Sequence, residues 1–224
     1  MRYDLVIFDL DGTLLDTSGG IIHCYNTVAE RFGYPMRPHD QFRGIIGGAL
    51  PDNFKKYFGA KQEEVRDAVE LYREEYARNG RHIAAHYPGM AELLRRLKEL
   101  GIKTAVATLK REDFAVQMMG EFGLAPYLDL IYGMDEADTR TKTSIIENCI
   151  YALGVEKRRV VMVGDSTGDL RGAEAAGVDF IGVTYGWGFD QDDQREDNEH
   201  VYVDTVCALQ ARLTDNLTRD QQRT

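Results

Sequence analysis

Apolar runs of strand length alternate with amphipathic helical segments over most of this 224-residue chain. The apolar runs occupy residues 3–10, 102–108, 127–133, 159–165 and 179–185. Segments with helical periodicity precede or separate the last four runs, at residues 90–101, 112–123, 142–154 and 169–177. Buried strands that alternate with helices are typical of a parallel sheet covered on both faces. The pattern therefore predicts a doubly wound α/β fold.

The interval after the first apolar run departs from this alternation. Helical periodicity occurs at residues 21–32 and 62–79, around the glycine-rich sequence RGIIGGALPDN at residues 43–53. We therefore expect a small helical cap domain over residues 17–86, inserted into a core domain formed by residues 1–16 and 87–224. An insertion at this point of the topology would lie above the carboxyl ends of the strands, where open α/β sheets bind ligands.

The first apolar run ends in two aspartates, within the sequence VIFDLDGTLLD. Asp9 and Asp11 are two positions apart, so an extended strand directs both to the same side. Two carboxylates held this close need a cation or a shared proton between them. A simple strand exit accounts for Asp11 and Gly12, which form a good turn, but it does not account for Asp9 directly after a buried run.

A second acidic strand end occurs in the sequence VVMVGDSTGD, where Asp165 follows an apolar run and Asp169 comes four residues later. Asp169 has two interpretations, a cap at the start of the next helix or a metal ligand. Carboxylate oxygens without histidine or cysteine partners suit Mg²⁺. We expect Asp9, Asp165 and a backbone carbonyl of the loop containing Asp11 to hold this ion.

Two further candidates lie near strand ends. Thr108 closes the run IKTAVAT and offers a hydroxyl and adjacent backbone N–H groups. Lys142 opens the helical segment KTSIIENCIYALG and can present a point positive charge to phosphate. Taken alone, each also fits an ordinary strand-terminal threonine or a solvated lysine. Their shared position at the strand ends of one sheet favours a phosphate-binding site.

The composition limits the classes of partner. The chain has 27 Lys and Arg against 37 Asp and Glu, a net charge of −10, which argues against a nucleic-acid surface. Cys24, Cys149 and Cys207 show no disulfide or zinc pattern and indicate reduced cysteines. Asp4 and Asp9 interrupt any secretory signal, and no apolar run approaches the roughly 18 residues of a membrane span. We therefore expect a cytoplasmic protein without membrane or nucleic-acid partners.

The ordered set of DLDGT at residues 9–13, Thr108, Lys142 and GDSTGD at residues 164–169 resembles the haloacid dehalogenase-like phosphohydrolases. The resemblance covers essentially the whole chain and implies a Rossmann-like core with an inserted helical cap. Within the superfamily, the chain looks most like the phosphoglycolate phosphatases and 5'-nucleotidase-like phosphatases. It departs from them at Leu109, where relatives often have a small polar residue, which puts details of specificity in doubt.

The resemblance also implies a role for each matching residue. Asp9 would be the nucleophile that forms an aspartyl-phosphate, and Asp11 the general acid and base. Lys142, Thr108 and backbone N–H groups would bind the phosphoryl group. The backbone donors would include those of Gly12 and Leu109. Mg²⁺ is the implied cofactor, with Asp9, Asp11 and Asp165 as its site and Asp169 in support.

The implied function is Mg²⁺-dependent hydrolysis of a small phosphate monoester, from the phosphoglycolate, nucleotide or sugar phosphate classes. A phosphomutase that returns the phosphoryl group to a sugar hydroxyl is the nearest alternative, and a non-catalytic binding or regulatory protein is another. Arg43 and Gly47, in the glycine-rich cap loop, are candidate substrate contacts. We expect a monomer or a homodimer.

Overall fold

The computed structural model describes residues 2–189 and 199–214, so parts of the expected 87–224 segment lie outside the described residues. The chain divides into two compact units. One unit takes in the described residues up to Leu15 and from His86 onward, and the other is Asp16–Ala85.

The elements follow one another along the chain as β1 (Leu5–Phe8), β2 (Leu15–Asp16), α1 (Ser18–Phe32), α2 (Leu50–Phe58), α3 (Val65–Arg78), β3 (Ala85–His86), α4 (Met90–Glu99), β4 (Lys103–Arg111), α5 (Glu112–Glu121), β5 (Leu130–Met134), α6 (Lys142–Leu153), β6 (Val160–Gly164), α7 (Thr167–Ala176), β7 (Asp179–Val183), β8 (Val201–Val203) and α8 (Val206–Thr214). Short 3₁₀ turns separate several of them.

Six strands of the first unit form a parallel sheet in the order β5-β4-β1-β6-β7-β8. Strand β1 therefore lies between β4 and β6, with Phe8 in register with Val106 on one side and Val163 on the other. The carboxyl ends of these three strands reach the same edge of the sheet. This neighbourhood places the segments that follow β1 and β6 side by side.

Both faces of the sheet are covered. Leu5 and Ile7 of β1 share one apolar cluster with Ile145 of α6 and Ala173 of α7. The alternate residues of β1 point to the opposite face, and they are also fully buried. Burial on both faces explains why the strands are continuous apolar runs rather than alternating patterns. The prediction of a doubly wound α/β sheet with an inserted helical segment is confirmed.

The second unit is helical and is built around aromatic side chains. The ring of Tyr25 in α1 lies with its centroid 4.8 to 5.9 Å from four other aromatic rings. These rings belong to Phe42, Phe54, Phe58 and Tyr72. Such tilted and stacked ring pairs add to the apolar area that they bury. The unit therefore has a core of its own.

Five elements were not predicted from the sequence, and two of them are the two-residue strands β2 and β3. Strand β8 has only three residues, and α8 follows it after a short connection, so neither supplies a long periodic pattern. Helix α2 begins inside the glycine-rich cap segment. Pro51 in its first turn is typical of a helix start, but the glycines before it favoured a loop. Among the described residues, the structure shows no helix with the length and apolar character required to cross a bilayer.

Candidate active site

Three neighbouring strands bring polar side chains to one edge of the sheet. Asp9 follows β1, Asp165 follows β6, and Thr108 lies near the end of β4. All three residues are buried despite their polarity. The backbone N–H of Asp9 donates to the carbonyl of Val163 at 2.9 Å, which extends the pairing of β1 and β6 by one residue. Sheet pairing therefore fixes the position of Asp9.

The acidic residues Asp9, Asp165 and Asp169 form a cluster. Each offers one carboxylate oxygen, and these oxygens lie within 4.8 Å of one another. Three buried oxygen donors without histidine or cysteine are chemically suited to a small hard cation such as Mg²⁺. The three carboxylates thus fit the ion that the sequence predicts. Asp169, which was expected only in support, is itself a member of this cluster.

Lys142 is the buried cation of this cluster. Its Nζ donates to Oδ1 of Asp9 at 2.6 Å and to the carbonyl of Ala107 at 2.8 Å, and it lies 2.7 Å from Oδ1 of Asp169. Burial acts to lower the pKa of Lys142, but the carboxylates of Asp169 and Asp9 outweigh burial and raise it. The side chain therefore stays charged and available to an anion.

Burial has the opposite effect on the two strand-end carboxyls. It raises the pKa of Asp9 to about 7, although the charge of Lys142 opposes the shift. It raises the pKa of Asp165 to about 8, with further contributions from the charges of Asp169 and Asp9. Close carboxylates in a poorly solvated place favour a proton or a bound cation. The cluster therefore favours binding of a proton or of a metal cation.

The segment after β7 fixes the orientation of Asp165. The backbone N–H groups of Trp187 and Gly188 donate to its Oδ2 at 2.7 and 3.0 Å, and that of Phe189 donates to its carbonyl at 2.6 Å. A Cβ atom at Gly186 or Gly188 would approach atoms of Asp165 to less than 3.0 Å. These glycines were not among the predicted site residues, although the YGWG sequence marks a close backbone approach.

Asp169 occupies the third position of α7 and is not the helix cap itself. The cap is Ser166, whose N–H and hydroxyl both donate to Oδ2 of Asp169, at 3.1 and 2.6 Å. The N–H of Asp169 donates in return to the Ser166 hydroxyl at 3.3 Å. This capping box holds Oδ2, while Oδ1 faces Lys142. Asp169 thus positions Lys142 from a rigid helix start.

Gly12 closes the turn that follows β1, and its predicted donation to phosphate stays a prediction. Its N–H donates to the carbonyl of Leu15 at 2.8 Å, so in this structure the turn uses the donor that was expected to bind phosphate. Its φ of +80° and its closeness to Asp165 both require glycine, because a Cβ would approach Oδ2 of Asp165 to less than 3.0 Å. Gly12 therefore allows the first loop to pack against the acidic cluster.

Asp11 forms an ion pair with a lysine that was not among the predicted site residues. The Nζ of Lys110 lies 2.9 Å from Oδ1 of Asp11, and the two side chains are only 8% and 13% exposed. Lys110 is two residues beyond Thr108, and residues two apart on a strand share a face. The two-residue spacing from Thr108 could therefore have predicted a second cation at this edge of the sheet.

Thr108 and Leu109 stand at the end of β4, where the pairing register with β5 shifts between Ala107 and Arg111. The Thr108 hydroxyl accepts from the N–H of Lys110 at 3.1 Å. The side chain of Leu109 is 40% exposed, so its apolar character is not used in the core. The ion pair of Lys110 with Asp11 places this irregular part of β4 beside the loop that follows β1.

Arg43 and Gly47 belong to the second unit. Arg43 is exposed after the 3₁₀ turn His39–Phe42, and Gly47 is exposed with a φ of +85°. Asn53 supports their loop, because its Nδ2 donates to the Ile45 carbonyl at 2.7 Å and to the Tyr25 hydroxyl at 2.8 Å. Their contact with substrate stays a prediction.

Comparison with known proteins agrees with this arrangement of residues. The model of the haloacid dehalogenase-like hydrolase family matches residues 6–183, which include both acidic strand ends, Thr108 and Lys142. The chain belongs to this family. The resemblance inferred from the motifs is therefore confirmed.

The names of individual relatives of this chain span several phosphoryl-transfer activities. A 5'-nucleotidase of Pseudomonas aeruginosa is 31% identical over 211 residues, which cover 94% of this chain and 96% of the relative. The tyrosine-protein kinase PtkA of Mycobacterium tuberculosis is 32% identical over 185 residues, 82% of this chain, but the match spans only 63% of that kinase. A crystal structure of a predicted phosphatase from Clostridium acetobutylicum superposes with a TM-score of 0.88 at 29% identity, covering 96% of this chain and 100% of that one.

Proposed function

We propose that this hydrolase is a Mg²⁺-dependent phosphatase that cleaves a small-molecule phosphate monoester through an aspartyl-phosphate on Asp9. The observation that carries the proposal is the position of Asp9, a buried carboxylate whose Oδ1 contacts Lys142 at 2.6 Å within a cluster of three acids. A carboxylate nucleophile requires that an incoming phosphate dianion reach it despite charge repulsion. The neighbouring cationic groups offset this repulsion.

The first step forms a bond between a carboxylate oxygen of Asp9 and phosphorus and breaks the bond from phosphorus to the ester oxygen. Asp11 donates a proton to the departing oxygen, which leaves as an alcohol. In the second step Asp11 takes a proton from water and the water oxygen bonds to phosphorus. The bond between phosphorus and the Asp9 oxygen breaks, which frees the Asp9 carboxylate and releases inorganic phosphate. Asp11 suits both tasks because it is two residues from Asp9 and is less buried.

The donor set of Asp9, Asp165 and a carbonyl of the first loop would hold Mg²⁺. The chemistry that the bound ion supplies is neutralisation of charge on the nucleophile and on the phosphoryl oxygens. Asp169 would act in support, because its two oxygens are engaged by Ser166 and Lys142. This arrangement keeps Lys142 aimed at the reacting group.

Lys142 and Thr108 would bind the phosphoryl oxygens, together with the backbone N–H of Leu109. Fixed donors and a buried ammonium stabilise charge that develops during phosphoryl transfer. The names of the relatives support small phosphate substrates, because the similar Pseudomonas protein is a 5'-nucleotidase. The kinase name of the mycobacterial relative makes transfer of the phosphoryl group to a tyrosine hydroxyl the second candidate.

A phosphate-release screen tests the proposal. The purified chain, stripped with EDTA, is assayed with and without added Mg²⁺ on 2-phosphoglycolate, nucleoside monophosphates, sugar phosphates and phosphotyrosine. We expect Mg²⁺-dependent release from at least one ester, loss of release in Asp9→Asn, and no loss in Asp67→Asn, a substitution at an exposed site on α3. Release that persists in Asp9→Asn would exclude the assigned nucleophile. Phosphorylation of a tyrosine peptide from ATP without ester hydrolysis would favour the second candidate.

A further inference from the structure

We propose that Lys110 selects the leaving group of the substrate, favouring phosphate monoesters whose leaving alcohol carries a carboxylate attached directly to the ester carbon. This inference rests on the proposed function, because it takes Asp11 as the residue that faces the leaving oxygen. It goes beyond that function by naming the residue that distinguishes one small ester from another and the charge that the residue recognises.

The position of Lys110 carries the argument. Its Nζ lies 2.9 Å from Oδ1 of Asp11, and its side chain is only 8% exposed. Its backbone N–H donates to the Thr108 hydroxyl at 3.1 Å, which ties the residue to the irregular end of β4. A lysine is almost never buried to this extent unless it is paired, and Asp11 is the partner here. Lys110 is therefore a fixed positive charge at the site rather than a solvated side chain.

The two buried lysines are attached to different carboxylates. Lys142 contacts Asp9 and Asp169, and so belongs to the side of the site where the phosphoryl group is transferred. Lys110 contacts Asp11, and so belongs to the side where the ester oxygen departs. The phosphoryl group already has Lys142 as its cation. The second lysine is placed for a second negative charge, carried by the leaving group.

Distances limit where that second charge can be. A proton donor lies about 2.7 Å from the oxygen that it protonates, so Nζ of Lys110 comes within roughly 6 Å of the leaving oxygen. A carboxylate attached directly to the ester carbon falls inside this reach. The neutral sugar of a nucleoside monophosphate offers no anion there. An ion pair formed in a place with little water is screened weakly, so it can discriminate between esters.

A matched pair of esters tests the inference. 2-Phosphoglycolate and 2-hydroxyethyl phosphate have the same chain length and differ in the carboxylate alone. We expect the wild-type kcat/KM to favour 2-phosphoglycolate by at least about tenfold, the scale of one hydrogen bond to a charged group. Lys110→Met should remove most of this preference by lowering kcat/KM far more for 2-phosphoglycolate than for 2-hydroxyethyl phosphate, whereas Lys110→Arg should keep part of it. Lys103→Met, at an exposed position of the same strand, is the control.

The outcomes separate this inference from the proposed function. If Lys110→Met lowers kcat/KM equally for both esters, or for neither, Lys110 does not select the leaving group. The same conclusion follows if the wild type cleaves other phosphate esters in the presence of Mg²⁺ but shows no preference within this pair. A wild type that releases phosphate from no ester at all would overturn the proposed function, and the assigned role of Lys110 with it.

Discussion

The Nζ atom of Lys142 lies 2.6 Å from Oδ1 of Asp9, and both side chains are almost fully buried. The same Nζ lies 2.7 Å from Oδ1 of Asp169, so one cation contacts two carboxylates. Taking these charges out of water is costly, and only mutual contact offsets the cost. The arrangement is therefore vulnerable to the loss of the lysine in a way that an exposed ion pair is not.

Lys142→Met should lower kcat by roughly a hundredfold or more, because it removes a fixed positive charge from the phosphoryl group. It should also lower the free energy of unfolding by about 3–5 kcal/mol, since Asp9 and Asp169 lose their shared buried partner. Urea unfolding and steady-state assays measure the two effects. Lys157→Met removes an exposed lysine that pairs with Glu147, and should change stability by less than about 1 kcal/mol. Equal effects in the two variants would show that burial of Lys142 has no energetic role.

Asp11→Asn separates the two chemical steps. p-Nitrophenyl phosphate has a leaving group that departs without protonation, so the first step should proceed in this variant. The second step still needs a base for the attacking water. We expect a rapid burst of p-nitrophenolate followed by a slow steady rate, and a phosphorylated chain detectable by intact mass. A variant with an unchanged steady rate would remove Asp11 as the base.

Gly186→Ala should disrupt the acidic cluster without replacing an ionisable residue. A Cβ at this position would approach the Gly12 carbonyl and the Asp165 side chain to less than 3.0 Å. We expect a loss of about 1–3 kcal/mol in stability, as for other overpacked sites, together with weaker Mg²⁺ activation. Gly120→Ala is the matched control, since nothing lies within 4 Å of the point that its new methyl group would occupy and helix propensity favours alanine. Loss of stability in the control but not in Gly186→Ala would contradict the packing argument.

Local sequence pattern was sufficient for the parts of the site that follow a buried strand. Asp9 and Asp165 were predicted because an acid directly after a continuous apolar run has no simple structural explanation. Strand order in a parallel sheet then brings such ends together. Lys142 was predicted from its place at the start of the helical segment KTSIIENCIYALG near the strand ends, and it is the first residue of α6.

Contacts between segments that are distant in the chain could not be predicted from local sequence pattern. The donation from Trp187 and Gly188 to Asp165 joins residues 22 and 23 positions apart, and the two donors lie in the segment after β7, whose shape no periodicity specifies. The pairing of Lys110 with Asp11 likewise depends on the irregular end of β4. Whether the Gly12 N–H faces a ligand or closes a turn depends on backbone conformation, which a DGT sequence leaves open.

The raised carboxyl pKa values predict how metal binding depends on pH. Without metal, burial raises the pKa of Asp165 to about 8 and that of Asp9 to about 7, both well above their unfolded values. The folded chain then holds protons that the unfolded chain releases, so the stability of the metal-free protein should fall as pH rises from about 4 to 8. Mg²⁺ must displace these protons, so its binding should strengthen over the same interval.

Thermal unfolding with and without saturating Mg²⁺ measures both trends. The increase in Tm caused by Mg²⁺ should be larger at pH 8.5 than at pH 5.5, because at the higher pH the ion finds ionised carboxylates and no proton competes with it. In Asp165→Asn the Mg²⁺-induced increase should largely disappear, and the metal-free protein should lose less stability as pH rises, since one raised carboxyl is gone. Asp52→Asn, at an exposed position of α2, should behave as the wild type does. A Tm increase that is independent of pH, or that survives in Asp165→Asn, would place the bound ion outside the acidic cluster.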